Sequence, residues 1–152
     1  MEPMTARLGD RPRTSASGPH RQLSQCSRPG LWGKLVAAVF SIDHVTEGHS
    51  SVSVPSSRAV FLDDMTVPRS AETSLAPVTE RLEPVHLHGV SDTSLHVCLP
   101  LDRARTVCAL GWGEPHRYAD RATEIMIYGP RDPDELEMVL ELVRESIAFA
   151  RG

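Results

Sequence analysis

Residues 83–100, EPVHLHGVSDTSLHVCLP, alternate apolar and polar side chains twice over, and this pattern restricts the fold more than any other stretch of the chain. Successive side chains of a strand point to opposite faces, so Val85 and Leu87 share one face while His86 and His88 share the other. On the next strand Leu95, Val97 and Leu99 oppose Ser94, His96 and Cys98 in the same way. A turn centred near Asp92 predicts an antiparallel hairpin with His88 across from His96 and His86 across from Cys98, at Cβ separations of about 5 Å. Such a hairpin needs a second layer over its apolar face only.

Helices supply that layer. From Pro29 onward Leu31, Leu35, Val39 and Ile42 fall on one helical stripe. Residues 101–110 fit a short helix ending at Gly111. After Asp132, a candidate N-cap, Pro133 and Glu135 open a last helix whose stripe is Leu136, Val139, Leu140, Val143 and Ile147. Residues 50–55 and 59–64 read as a strand pair, 65–82 as a surface loop, and 124–130 as a strand stopped by Gly129-Pro130. The order α-β-β-β-β-α-β-α predicts an α+β fold, with a single mainly antiparallel sheet of about five strands covered on one face by helices.

With 152 residues, 40% of them apolar, the chain suits one domain, expected over residues 29–152. Residues 1–28 carry Pro3, Pro12 and Pro19 without apolar periodicity and are expected to be an extended or disordered basic arm. The arm holds five arginines against Glu2 and Asp10, which leaves a net charge of about −7 on the remainder and speaks against nucleic-acid binding. The longest aliphatic or aromatic run, LVAAVF at 35–40, is far short of the roughly 20 residues that span a bilayer, so no membrane partner is expected and a cytoplasmic location is. Cys26, Cys98 and Cys108 lack CxxC spacing, so neither a disulfide framework nor a thiolate zinc site is indicated. Oligomeric state is left open.

Three imidazoles on one sheet face admit three readings. They can serve acid/base chemistry on a bound organic molecule, or hold a divalent metal such as Zn or Fe with Glu83 or Asp92 adding a carboxylate, or simply line the wet side of a hairpin. Two further segments bear on the choice. GWGEPHRY (111–118) carries Trp112, Glu114 and His116, and YGPRD (128–132) carries Tyr128, Arg131 and Asp132. Singly each has a plain account: Trp112 as core, Asp132 as a helix cap, Arg131 as a surface charge. Together with the histidine face they provide aromatic walls, an acid/base pair and a cation, the make-up of a pocket for an aromatic or acidic small molecule.

QLSQ (22–25), HLHGVSDTSLHVCLP (86–100), GWGEPHR (111–117) and IMIYGPRD (125–132), in this order and spacing, resemble the luciferase-domain proteins, small bacterial proteins similar to the luciferase of bioluminescent fungi. That enzyme adds dioxygen to a hydroxylated pyrone without a flavin. The resemblance covers residues 20 to 150 and matches the family's motif residues to His86, His88, Asp92, Ser94 and His96, and to Trp112, Glu114, Pro115, His116, Tyr128, Gly129, Arg131 and Asp132. It implies a small-molecule-binding domain acting as a cofactor-independent oxygenase on an enolic or phenolic substrate. His86, His88, His96, Asp92, Glu114 and His116 would then be catalytic, and Trp112, Tyr128, Arg131 and Ser94 would hold the ligand. The alternatives are a metal-dependent enzyme using His86, His88 and His96, or a non-catalytic binding module. The family's usual DGS turn is here Asp92-Thr93-Ser94. No apolar N-terminal segment like that of the fungal enzymes is present, and their membrane association is not carried over.

Overall fold

The computed structural model describes residues 4–117 and 121–152. Tyr118 of the GWGEPHRY segment lies outside these. Helix α1 (Pro29–Phe40) leads into strands β1 (Val45–His49) and β2 (Arg58–Leu62), followed by β3 (Val85–Leu87), β4 (Leu95–Cys98), α2 (Leu101–Ala109), β5 (Gly113–Pro115), β6 (Glu124–Ile127) and α3 (Pro133–Arg151). The strands form one antiparallel sheet in the order β1-β2-β3-β4-β6-β5. Among the described residues, no helix is long and apolar enough to cross a membrane.

The last helix starts as its sequence dictates. The Asp132 carboxylate accepts the Glu135 N–H at 2.8 Å, and Pro133 occupies a position whose N–H has no partner in any helix. Leu136, Val139, Leu140, Val143 and Ile147 then lie on the buried side and join the core with Trp32, Leu35 and Val39 of α1. Against these helices stands the apolar sheet face, with Val60, Val85, Val97 and Ile125 in one row and Leu87, Leu95 and Ile127 in the next. The α+β class with helices on one face is as expected from the sequence.

Three details differ. The sheet has six strands, because Gly113–Pro115 pairs with β6. Added at Gly113, a Cβ would stand 2.1 Å from the Met126 carbonyl oxygen, so close pairing here requires glycine. The first strand is Val45–His49 and not 50–55. As an edge strand it needs few apolar residues, and its short alternation is outweighed by pairing with β2.

The third difference is the hairpin register. His86 pairs with His96, Val85 with Val97 and Leu87 with Leu95, a shift of two from the expected pairing. A shift of two leaves every side chain on its predicted face. It arises because the connection is a long loop, in which the His88 N–H donates to the Ser94 carbonyl at 3.0 Å and the Asp92 N–H to that of Gly89 at 3.0 Å. Among the described residues only Gln25 and His44 combine a side chain with positive φ, so Thr93 meets no backbone demand for glycine. Its Oγ1 instead accepts the Ser27 N–H at 2.7 Å.

Residues 4–28 form no helix and one isolated bridge, Thr14 to Gln22, and this extended segment lies on the body of the molecule. The Arg7 N–H donates to Leu110 O at 2.9 Å, Trp112 Nε1–H to Thr5 O at 2.7 Å and the Gln22 N–H to Asp92 Oδ1 at 2.9 Å. His20, Gln22 and Ser27 are buried. Hydrogen bonds to the backbone and side chains of later elements hold this segment in place of an apolar face, and no hydrophobic periodicity reports such bonds.

Candidate functional site

One row of side chains crosses all six strands on the face away from the helices. Gly48, Ala59, His86, His96, Met126 and Glu114 are successive cross-strand partners. At one end the Phe61 ring packs over Gly48, where an added Cβ would stand 2.3 Å from it, while at the other end Met126 is buried and Glu114 partly buried. The face is not wet. His86, His88 and His96 are only 2–4% exposed, because the segment around His20 and the loop 51–54 cover them. Between cover and sheet lies a cavity of about 760 Å³ walled by His20, His86, His88, His96 and His116, with Asp92, Glu124, Arg21 and Arg121 at its sides and Val52, Val54, Leu75 and Pro77 as apolar parts.

Two carboxylates set histidine tautomers here. Asp92 accepts from Ser94 Oγ–H at 2.7 Å and from the Gln22 N–H. Burial alone would raise its pKa, but the bonds from His88, Ser94 and Gln22 outweigh burial and hold it below the usual carboxylate value. With the Ser94 proton on Asp92, Ser94 Oγ can only accept from His88 Nδ1, 2.8 Å away, and Asp92 Oδ2 stands 3.1 Å from the same nitrogen. His88 therefore carries its proton on Nδ1 and a lone pair on Nε2.

Glu83 anchors the second chain. Its Oε2 lies 2.7 Å from His86 Nδ1 and also accepts from Ser50 Oγ–H at 2.7 Å, and His86 Nε2 lies 2.9 Å from His96 Nδ1. A proton on His86 Nδ1 leaves Nε2 as the acceptor for His96 Nδ1–H. The lone pair of His96 is then on Nε2, which is buried and has no hydrogen-bond partner. Burial, aided by neighbouring imidazoles, lowers the pKa of His86 and puts His96 well below the ordinary histidine value, although Glu83 opposes the shift at His86. His116 is lowered to about 4 by burial and by His20, His86 and His88.

A third carboxylate, Glu114, accepts from Tyr128 Oη–H at 2.8 Å, from Thr14 Oγ1–H at 3.0 Å and from His20 Nε2–H at 2.8 Å. Those bonds hold it below the usual value in spite of burial. Burial, together with the facing Glu114, pushes the Tyr128 hydroxyl up to about 12 against the opposing Arg11 guanidinium.

The structure thus gathers His86, His88, His96, Asp92 and His116 at the cavity, with Ser94 behind His88 and Glu114 behind His20. Three of the expected ligand-holding residues lie elsewhere. Trp112 is 6% exposed and belongs to the core, with its indole N–H on Thr5 O. Tyr128 is 2% exposed beneath Arg7, whose guanidinium carbon is 5.2 Å from the ring centre. Arg131 forms a two-bond ion pair with Glu135 at 3.0 and 2.6 Å and helps to bind the N-terminal segment through Leu8 O. Sequence reasoning missed His20, Arg21, Arg121 and Glu124 as cavity residues. His20 sits two residues before the QLSQ motif, and that proximity was the only available signal for it.

Comparison with known proteins agrees with the motif resemblance. Residues 81–146, from just before β3 to within α3, match the model of the Luciferase domain. Among curated proteins the chain is similar to the luciferase of Armillaria ostoyae, at 34% identity over 73 residues that make up 44% of this chain and 27% of that protein. The luciferases of Armillaria gallica and Armillaria mellea match at 33% over the same length and shares. The chain therefore spans about a quarter of the length of these relatives. No solved structure matches it significantly.

Proposed function

We propose that this luciferase-like domain binds a small enolic or phenolic molecule in the histidine-walled cavity and oxygenates it, with His88 as the base. The observation that carries this reading is the clamp of Asp92 and Ser94 on His88 Nδ1, at 3.1 and 2.8 Å, which turns a lone pair on Nε2 to the task. An oriented imidazole backed by a carboxylate is the usual arrangement of a general base. Nε2 takes the substrate O–H proton, and Arg21 and Arg121 at the cavity wall supply positive charge for the enolate. The enolate carbon passes one electron to dioxygen, and the radical pair closes a C–O bond. The resulting peroxide takes the proton back from His88, so carbon is oxidised, oxygen is reduced and the base is restored.

The likeness to fungal luciferases supports oxygen chemistry, and the apolar Val52, Val54 and Leu75 suit a ring-bearing substrate. The test is oxygen uptake by the full chain with a panel of hydroxypyrones and catechols. His88→Gln should stay folded and lose at least about tenfold in rate. Full activity in that variant would remove His88 from the mechanism, and tight binding of panel compounds without oxygen uptake would make the protein a binding module.

A further inference from the structure

Two sets of three histidines have donor nitrogens that all lie within 4.8 Å of one another: His86, His88 and His96, and His20, His96 and His116. The first set is poorly disposed toward a cation. Both nitrogens of His86 are already engaged, one by Glu83 and one by His96, and Nδ1 of His88 is held by Ser94 and Asp92. A cation seated there would displace the contact between His86 and His96.

The second set has the outer partners that metal-binding imidazoles use. His20 gives Nε2–H to Glu114 at 2.8 Å, and its Nδ1 accepts the Arg117 N–H only at a long 3.4 Å, a contact that a cation would replace; His96 gives Nδ1–H to His86, and Nε2 of His116 stands 3.4 Å from Glu124 Oε2. Bonds of this kind to carboxylates and other acceptors fix the ring and make the opposite nitrogen a better donor. The rings also converge: His96 and His116 centroids are 4.2 Å apart, His20 and His116 5.2 Å, and His20 and His96 5.7 Å. Between them lies the independent sign of a missing ligand. His96 is 4% exposed, and its Nε2 is a fully buried polar atom with no hydrogen-bond partner. Leaving such an atom unsatisfied is costly, and a cation would satisfy it.

We propose that His20, His96 and His116 bind one divalent first-row transition cation of the Zn, Fe or Co class at the floor of the cavity. Three neutral nitrogen donors select these ions over Mg or Ca, and they leave a coordination position facing the cavity, as in sites that engage a small molecule. Donors within 4.8 Å would close to about 3.3 Å apart for metal–nitrogen bonds near 2.05 Å, a movement for side-chain rotation. The site draws one residue from the N-terminal segment, one from β4 and one from just beyond β5, so a bound ion would tie the cover to the sheet.

The inference is independent of the acid/base role of His88, which is not among the ligands. The test uses the untagged full chain, stripped with a chelator and titrated with Co²⁺ alone, with bound metal counted by elemental analysis and geometry read from visible absorption. One equivalent with the strong visible bands of low-coordinate Co²⁺ is expected. His20→Gln and His116→Gln should each weaken binding at least about tenfold, and Glu114→Gln, which removes only an outer partner, by about 10–100-fold. His88→Gln should bind Co²⁺ like the wild type. The partly exposed His116 makes its variant the safest for folding, so the test does not depend on the buried positions. Absence of binding at millimolar Co²⁺, or binding unchanged in His116→Gln, would overturn the proposal. Loss in His88→Gln with retention in His20→Gln would assign the ion to the other three histidines and also overturn it. If His88→Gln abolishes oxygen uptake yet binds Co²⁺ normally, both readings stand.

Discussion

Gln22→Ala tests whether the N-terminal segment is part of the fold. Gln22 is 1% exposed. Its Oε1 accepts the buried Gly129 N–H at 3.0 Å, and its Nε2 donates to Ser24 O at 2.9 Å and Gln25 O at 3.1 Å. Gly129 cannot move away to find another acceptor. A Cβ there would lie 1.8 Å from Thr93 O, which shows how closely the backbone around β6 is pressed against the hairpin loop. Truncating Gln22 therefore leaves one buried donor unmet, at about 1–3 kcal/mol, while the two carbonyls lie nearer to water and lose less. We expect a loss of about 2–3 kcal/mol and, at roughly 2–4 °C per kcal/mol for a chain of this size, a melting temperature lower by about 4–12 °C. Thermal and urea unfolding followed by circular dichroism would measure it. Gln22→Glu is the companion variant, since it keeps an acceptor for Gly129 but sets a carboxylate oxygen against two carbonyls, and it should be no more stable than Gln22→Ala. A loss under about 0.5 kcal/mol in Gln22→Ala would refute the reasoning and mark residues 4–28 as a loosely held arm.

His86→Ala should cost about 3–5 kcal/mol, because the Glu83 carboxyl and His96 Nδ1 would lose their buried partner, whereas Leu87→Ala on the opposite face should cost about 2–5 kcal/mol through the emptied core volume. If His86→Ala unfolds with less than about 1 kcal/mol of loss, the histidine face is solvated after all. The Arg131–Glu135 pair should be visible in acid. Burial acts to raise the Glu135 pKa from 4.5, but the bonds from Arg131 outweigh it and lower the folded value. Its stabilisation is then complete above about 4.5 and fades as pH falls through the folded pKa. Melting curves from pH 7 to 3 should show Glu135→Gln less stable than wild type near neutrality and the difference closing below pH 4.5. A difference independent of pH would contradict the ion pair.

What the sequence revealed follows from which interactions have a period. Faces of strands and helices do, so Val85, Leu87, Leu95 and Val97 were placed on the core side and His86, His88 and His96 together on the other, and a register error of two could not disturb either assignment. Strand β5 has no period to show, being three residues that include a glycine and a proline, and it is held by pairing with β6. The N-terminal segment is joined to the body by polar bonds between residues far apart in sequence, such as Gln22 to Gly129 and His20 to Glu114. Pattern reasoning has no access to those. The same blindness displaced the aromatic residues: Trp112 and Tyr128 carry no mark distinguishing a pocket wall from a core position, and packing placed both beneath Arg7 and Thr5.

This division of labour explains how a sheet can carry buried histidines on the face its helices do not cover. Transferred from water without partners, such groups would each cost several kcal/mol, on the order of 2–7 for a buried polar group. Glu83, Asp92 and Glu114 give each of His86, His88 and His20 an acceptor, and the His86–His96 contact extends one of these chains by a ring. Asp92 and Glu114 are themselves tied to the N-terminal segment, through the Gln22 N–H and through Thr14 and His20. The cover and the polar floor consequently depend on each other: loss of the segment would expose the imidazoles and loosen the two carboxylates that orient His88 and His20. Nε2 of His96 is left without a hydrogen bond in this network, and His96 is the residue common to both three-histidine groups. An imidazole nitrogen sealed from water without a partner is costly, and the cation proposed above would satisfy it.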